Sequence, residues 1–273
     1  MGTLYLVGTP IGNLEDASLR AVRVLSEVGL IAAEDTRRAR ILLQRYEIGT
    51  TVTSYFEGNK LAKLDEVLAA LETGDVALIS EAGMPGLSDP GYELIRAAID
   101  RGYTVVPVPG PSAPVTALVA SGLPSDAFIY LGFLPRRSAE RRAFLEGIAG
   151  ERRTLVAFEA PHRLRQSLAD IEDALGDRRI AICRELTKVH EEIWRGRVSE
   201  ARQHFEETKP RGEFTLVIAG AEDKPGRWSR ARVRETLARL LAEGTPRPAA
   251  ARQVSESSGW SRSEIYDLSL ELE

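Results

Sequence analysis

The chain has 273 residues, 43% of them apolar and 28% charged, with a formal net charge of −4. Such a composition excludes disorder or a coiled coil as the main theme and argues against wholesale coating of nucleic acid, while the length fits two medium domains or two with an appendix. One cysteine, Cys183, excludes an intramolecular disulfide, no run of eighteen apolar residues offers a membrane span, and the chain enters a strand without a basic and apolar leader, so a reducing, cytoplasmic setting is expected.

Residues 4–7 read as a first buried strand that runs into GTPIGN (8–13), and a helix follows with Leu19, Val22, Leu25 and Val28 on one stripe until Gly29 breaks it. Residues 30–33 form a second strand whose end carries Glu34, Asp35, Thr36 and Arg37. Asn59 is placed to cap a helix with Leu61, Leu64, Leu68 and Leu71 at spacings of three and four, closed by Gly74. Residues 76–79 are a continuous apolar run, the pattern of a strand buried on both faces. They enter SEAGMPGLSDPG (80–91), where three glycines and two prolines crowd into twelve residues. Gly83, Gly86 and Gly91 accept positive φ, while Pro85 and Pro90 fix φ and remove two amide donors, so the loop presents carbonyls and a few amides. Ligands of open α/β sheets lie beyond the carboxyl ends of the strands, which makes this loop a wall for one rather than a plain surface turn. A helix with Leu94, Ile95, Ala98 and Ile99 stops at Gly102, and residues 103–108 are another strand, ending in PGPSA (109–113). Strands alternating with helices predict an α/β fold: a mostly parallel sheet with helices on both faces.

A second cycle begins near residues 121–124. Strands are expected at 128–133, 154–158, 180–182 and 214–219, with an edge strand at 192–197, and helices at 138–148 and 162–175, the latter with Leu164, Leu168, Ile171 and Leu175 in register. Cys183 reads as a packing residue. From Lys224 onward three short helical segments stand without strands; Ser261 and Glu264 form a capping box after Gly259, giving a helix-turn-helix pattern with Arg262, Ser263 and Tyr266 on the reading helix. Three-helix units also serve as inert lids. The resulting division is 1–119, 120–223 and 224–273. Between Arg136 and Arg165 eight arginines face four glutamates, an excess that marks either a phosphate-contacting face or solvated helix surface.

Several common chemistries lack their signatures. No G-x-G-x-x-G follows a strand, no G-K-[ST] closes a Walker loop, no G-x-S-x-G elbow is present, and His162, His190 and His204 are scattered outside any H-E-x-x-H, so no metal site is expected. What remains is an ordered series of strand-end loops: GTPIGN, AEDTR, SEAGMPGLSDPG and VPGPSA, then FEAPHR (158–163), RELTKVHE (184–191) and RGEFTLVIAG (211–220). Together they resemble the tetrapyrrole methylase superfamily of S-adenosylmethionine-dependent methyltransferases, and within it the branch acting on small-subunit ribosomal RNA, over nearly the whole chain. Glu81 and Met84 stand where that superfamily usually has Asp and Thr.

The resemblance implies two αβα domains with S-adenosylmethionine in the cleft between them, plus the helical unit, a homodimer, and 2′-O-methylation of a cytidine in the decoding region of small-subunit (16S) ribosomal RNA or of the assembled subunit. By similarity, Gly8, Pro10 and Ile11 form one wall of the donor site, Gly83, Met84, Pro85 and Ser88 its floor, and Ser112 and Ala113 its edge. Phe158, Glu159, Gly212, Glu213 and Phe214 close it from the second domain, with core packing as the alternative for the two phenylalanines. A ribose hydroxyl is a weak nucleophile and calls for a base within hydrogen-bond reach. Asp35, Glu81 and Asp89 are the favoured candidates, ahead of His162 and Glu185; Asp89 has the alternative of bracing its own turn, and Glu185 that of pairing with Lys188 or Arg184. Arg37, Arg136, Arg137, His162, Arg163, Glu185, Lys188 and Arg262 are candidates for contact with RNA, with solvation as the alternative for each. Two competing functions share these features: a methyltransferase for a small tetrapyrrole, and a non-catalytic nucleic-acid-binding factor.

Overall fold

The computed structural model describes residues 2–222 and 228–272, which divide into two units, Met1–Gly220 and Ala221–Glu273. The first half of the larger unit runs β1 (Thr3–Val7), α1 (Leu19–Glu27), β2 (Leu30–Ala33), α2 (Thr36–Arg45), β3 (Val52–Ser54), α3 (Lys60–Thr73), β4 (Val76–Ile79), α4 (Tyr92–Asp100) and β5 (Thr104–Val108). Its sheet has the order β3-β2-β4-β1-β5 with every pair parallel. β4, buried at all four positions, sits at the centre, as its unbroken apolar run requires. All five carboxyl ends therefore lie on one edge.

The second half continues with α5 (Ala113–Ser121), β6 (Phe128–Phe133), α6 (Ser138–Gly147), β7 (Thr154–Glu159), α7 (Leu164–Leu175), β8 (Arg179–Arg184), β9 (Glu192–Arg197), α8 (Val198–Glu207) and β10 (Phe214–Ile218). Its sheet order is β6-β7-β10-β8-β9, and unlike the first, parallel sheet it is mostly antiparallel: only β6 and β7 pair in parallel. The helical crossovers do keep β6, β7 and β8 pointing the same way. β10, the last strand among the described residues, inserts between β7 and β8 in the opposite sense, and β9 turns back on β8. The insertion places the start of β10 beside the ends of both neighbours, since Phe214 is in register with Glu159 on one side and Arg184 on the other. That is why FEAPHR, RELTKVHE and RGEF meet at one edge although one precedes its strand and two follow theirs.

Apolar clusters cover both faces of each sheet. α5 packs on the second sheet, against β10 and β8, so a division after residue 119 falls inside a helix of the second half. Two apolar stripes also shift. In α1 the buried positions are Ala21, Val24 and Leu25, with Val28 just beyond, while Leu19 is 91% exposed at the first turn; in α3 Leu61 is exposed and Val67, Leu68 and Leu71 are buried. Asn59 precedes α3 as expected but bonds backwards, accepting from the Phe56 amide at 2.8 Å rather than capping the helix amides.

The smaller unit holds α9 (Arg230–Ala242), α10 (Arg247–Ser258) and α11 (Arg262–Leu270) around Val233, Leu237, Val254, Ile265 and Leu268. Ser261 and Glu264 form the anticipated capping box, and Gly259 takes φ 69° in the turn before it. Lys224 itself lies outside the described residues. Among those described, no helix is long and apolar enough to cross a membrane.

Candidate functional site

The loops at the two sheet edges enclose a cavity of about 350 Å³. Backbone pairing joins its first two walls: the Thr9 amide donates to the Gly83 carbonyl at 2.9 Å and the Gly83 amide to the Thr9 carbonyl at 3.0 Å. Gly8 does not line the cavity. Its amide donates to Val108 at 3.0 Å, and a side chain there would stand 2.8 Å from the Gly110 backbone, so its role is to let the ends of β1 and β5 touch. Ile11 reaches across from the first half into the apolar cluster of the second, against Leu186 and Cys183, and Gly12 continues the contact. A Cβ on Gly12 would sit 2.5 Å from Lys188 Cγ, and the next amide, of Asn13, donates to Thr187 Oγ1 at 3.0 Å.

Of the expected donor-site residues, Ile11, Gly83, Met84, Ser88, Ser112 and Ala113 line the cavity from one side. Phe158, Glu159, Gly212, Glu213 and Phe214 line it from the other. Pro85 is buried in its loop outside the cavity, and Pro10 faces a second cavity of about 390 Å³ that shares Ile11, Glu81, Ala82 and Glu213 with the first. The carboxylate of Glu159 is fully engaged away from the cavity, accepting from Arg163 at 2.6 Å, from the Ala160 amide at 2.7 Å and from the Ser167 hydroxyl. Phe158 packs edge-on to Tyr130 at 5.5 Å and tilts onto Phe133 at 5.3 Å, so it is both wall and packing residue.

Three carboxylates converge on one side: Glu34 at the end of β2, and Glu81 and Asp89 in the loop after β4. The Glu81 amide donates to Glu34 at 3.0 Å, and the Glu81 side chain pairs with Arg38 at 2.9 Å. Among the described residues Asp89 has no cation partner. Burial, reinforced by the charges of Glu34 and Glu81 and partly offset by a hydrogen bond from Ser80, pushes its pKa up to about 7. Asp35 is placed differently: it is the N-cap of α2, accepting from the Arg37 amide at 2.8 Å, and its hydrogen bonds, led by that from the Arg37 side chain, hold its pKa below the ordinary value. It does not line the cavity.

Backbone strain gathers at the same place. Four non-glycine residues among those described have positive φ, and three of them, Ser88, Glu185 and Thr187, belong to these loops. Ser88 shares a hydrogen bond of 2.8 Å with Tyr130, tying the first half to the second at the cavity. Glu185 Oε1 accepts from the Glu213 amide and from Lys188, both at 2.9 Å, and Lys188 also reaches Glu213 at 3.0 Å. Burial opposes the Lys188 charge, but the two carboxylates outweigh it and raise its pKa. Gly212, at φ 85°, is forced here: a Cβ would lie 2.6 Å from the Glu185 side chain.

The candidates for RNA contact divide accordingly. Arg163, held by Glu159 and by the Leu134 carbonyl at 3.2 Å, is a brace, and Glu185 and Lys188 are mutually paired. Arg184 is paired instead with Glu192 at 3.2 Å. Arg37, Arg136, Arg137 and His162 are exposed, and Arg262 opens α11 in the smaller unit, exposed with Ser263 and Tyr266 beside Glu264 and Asp267. Sequence reasoning named Asp35 as a candidate but not its neighbour Glu34, and it passed over Leu87 and Phe133, two apolar side chains 42% and 57% exposed at the cavity. The aromatic in the segment GFLPRR (132–137), close in sequence to two arginines, was the available signal for Phe133.

Comparison with known proteins places this arrangement. Residues 3–202 match the model of the Tetrapyrrole (Corrin/Porphyrin) Methylases. A Synechocystis protein named ribosomal RNA small subunit methyltransferase I is 47% identical over 100% of this chain and 99% of its own length, and one of the same name from Halalkalibacterium halodurans is 44% identical over 98% and 94%. A third, from Thermotoga maritima, is 49% identical and is covered over 100% of its length by 81% of this chain. Among solved structures, a cobalt precorrin-4 methyltransferase superposes with a TM-score of 0.62 at 15% identity, covering 80% of this chain and 94% of that one. The uroporphyrin-III C-methyltransferase of Thermus thermophilus complexed with S-adenosyl homocysteine gives 0.57 at 19%, covering 80% and 97%. These two show the shared fold. The chain therefore belongs to the tetrapyrrole methylase family, in its ribosomal RNA small subunit methyltransferase I branch.

Proposed function

We propose that the chain transfers a methyl group from S-adenosylmethionine to the 2′-oxygen of a cytidine ribose in the decoding region of small-subunit ribosomal RNA. The observation that carries this reading is the 47% identity, over the full length of both chains, to a protein named for small-subunit ribosomal RNA methylation. The cavity supports it. The donor brings an electrophilic methyl on a cationic sulfur, an apolar adenine and a zwitterionic end. Ile11, Met84, Phe158 and Phe214 offer apolar walls, the glycine- and proline-rich loops offer backbone polar atoms, and Glu34 offers negative charge for a cationic ligand.

On the protein's side, the reaction asks for alignment in a shielded cleft and for a proton acceptor. Asp89 takes the second role. Its neighbour Glu81 is paired with Arg38 and Asp35 is spent on a helix cap, whereas Asp89 lines the cavity with no cation partner among the described residues and a pKa near 7, a stronger base than an ordinary carboxylate. The exposed Arg37, Arg136 and Arg137 serve RNA phosphates, and the protein works as a cytoplasmic homodimer. The test is transfer of labelled methyl from S-adenosylmethionine to assembled small subunits and, in parallel, to naked ribosomal RNA. Label in an alkali-resistant dinucleotide containing cytidine supports the reading; label on a base, or label taken up by a tetrapyrrole in preference to RNA, overturns it.

A further inference from the structure

The segment that follows β6 is held in an unusual way. Arg141, on α6, is completely buried, and its Nε and Nη2 donate to Asp170 of α7 at 2.8 and 2.5 Å, while Ser138 donates to the same carboxylate at 2.9 Å. The remaining nitrogen, Nη1, is turned back to the carbonyls of Pro135 at 3.0 Å and Arg136 at 3.3 Å. Arg163, itself braced by Glu159, donates to the carbonyl of Leu134 at 3.2 Å. Three consecutive carbonyls thus accept from two arginines anchored in the layer beneath. Burying an ion pair carries a desolvation cost that an apolar pair of the same size avoids, so stability alone gives no reason for Arg141 and Asp170 to be charged. Fixing the backbone of 134–136 does give one, because a guanidinium fork can grip a carboxylate and two carbonyls at once.

What that fixed segment presents is Phe133 on one side and Arg136 and Arg137 on the other. Phe133 is 57% exposed although it lines the cavity and rests one side against Phe158. Leu87 of the first half, 42% exposed, lines the same cavity. Ser88 and Tyr130, hydrogen-bonded at 2.8 Å, join the two strips that carry them. An exposed aromatic at the mouth of a reaction cavity, beside exposed arginines, is the equipment that single-stranded RNA readers use: a base stacks on the ring while cations take the flanking phosphates. A ribose inside a folded RNA reaches a recessed donor only if its nucleotide is turned outward, and a turned-out base needs a surface to replace the stack it left.

We propose that Phe133 is the platform on which the base of the acceptor nucleotide stacks. The buried Arg141–Asp170 pair is the positioning device that keeps this platform, and the arginines beyond it, in register with the cavity. The inference rests on the reading of the chain as a methyltransferase acting on RNA. It is tested with the full chain and assembled small subunits, comparing wild type with Phe133→Ala, Phe133→Trp, Arg141→Lys and Asp170→Asn. Donor affinity is measured by calorimetry, and KM and kcat are taken well below each variant's melting point. Phe133→Ala is expected to raise KM for the subunit by about tenfold or more, the size of one lost base–aromatic stack, with donor affinity within about twofold. Phe133→Trp restores KM, and Arg141→Lys and Asp170→Asn raise KM while leaving donor affinity in place. If Phe133→Ala weakens donor binding and leaves KM for the subunit unchanged, the ring is a donor wall and the inference fails. Variants at 141 and 170 that lower only the melting temperature reduce the pair to a structural role and overturn that half of it. Wild-type protein that labels no ribosomal RNA overturns the underlying reading, whereas full wild-type labelling with an unchanged Phe133→Ala overturns this inference alone. Because Phe133 is exposed, its variants fold whether or not those at position 141 do.

Discussion

The two halves of the larger unit solve different problems at the shared cavity. In the first half the sheet is wholly parallel, every strand delivers its carboxyl end to one edge, and one carboxylate there is left reactive: Asp89 has no cation partner among the described residues and Glu34 crowds it. In the second half the sheet is mostly antiparallel, and nearly every charge near the cavity is consumed internally. Glu159 goes to Arg163, Glu185 and Glu213 to Lys188, and Asp170 to Arg141. One half supplies chemistry and the other supplies rigidity. Substitutions in the first should therefore appear in rate, and substitutions in the second in stability and fit.

The largest expected effect is that of Asp89→Asn, which should lower methyl transfer by about 10²–10⁴-fold, the usual range for a lost general base, with donor affinity retained. Wild-type rate should rise with pH through about 7 as Asp89 loses its proton, and the variant should lose that limb. The stability consequence has the opposite sense. A carboxyl whose folded pKa lies above its unfolded value of 3.8 favours folding while protonated, and that contribution declines as pH rises from about 4 through about 7. Asp89→Asn should then melt higher than wild type at pH 8 and no higher at pH 5. A variant that melts lower at pH 8 and keeps full activity would collapse the contrast between the halves.

Gly212→Ala is next. The left-handed φ and the collision with Glu185 should cost on the order of 1–3 kcal/mol in denaturant unfolding, with weakened donor binding, while Gly150→Ala, where a Cβ meets nothing, serves as its neutral reference. Lys188→Met should cost about 1 kcal/mol, since its pairs are only partly buried. Smallest of all is the effect of ending the chain after Gly220: calorimetry should give a donor affinity within about twofold of the full chain. The Thermotoga maritima relative, matched over its whole length by 81% of this chain, supports that expectation. A large loss would mean that the cavity is not complete within the larger unit.

Much of this was legible in the chain because the informative residues sit where period and punctuation coincide. A strand period interrupted by glycine and proline marks a parallel strand's carboxyl end, and that signal located the loops after β1, β4 and β5. It also overshadowed what came next. α5 begins inside the PGPSA loop with proline in its first turn, which reads as loop continuation although proline is well tolerated there. α2 is missed for the opposite reason: TRRARILLQR buries only Ala39, Leu42 and Leu43, too narrow a stripe among arginines to stand out. Naming Asp35 and not Glu34 illustrates a further limit. Asp followed by a helix is first of all a cap, and only the fold shows that its neighbour, one residue earlier and just past β2, lines the cavity. The antiparallel entry of β10 leaves no local trace at all, since strand direction is decided by which partners are already in place.

That late strand has a consequence for how the protein is made. As the chain leaves the ribosome, the first sheet has all five of its strands by residue 108 and can close while synthesis continues. The second cannot: its central position is reserved for residues 214–218, and until they emerge β7 and β8 each keep an open flank of unpaired backbone groups beside it. Nascent protein halted shortly before residue 214 should therefore be a finished first half tethered to a sticky, chaperone-dependent second one.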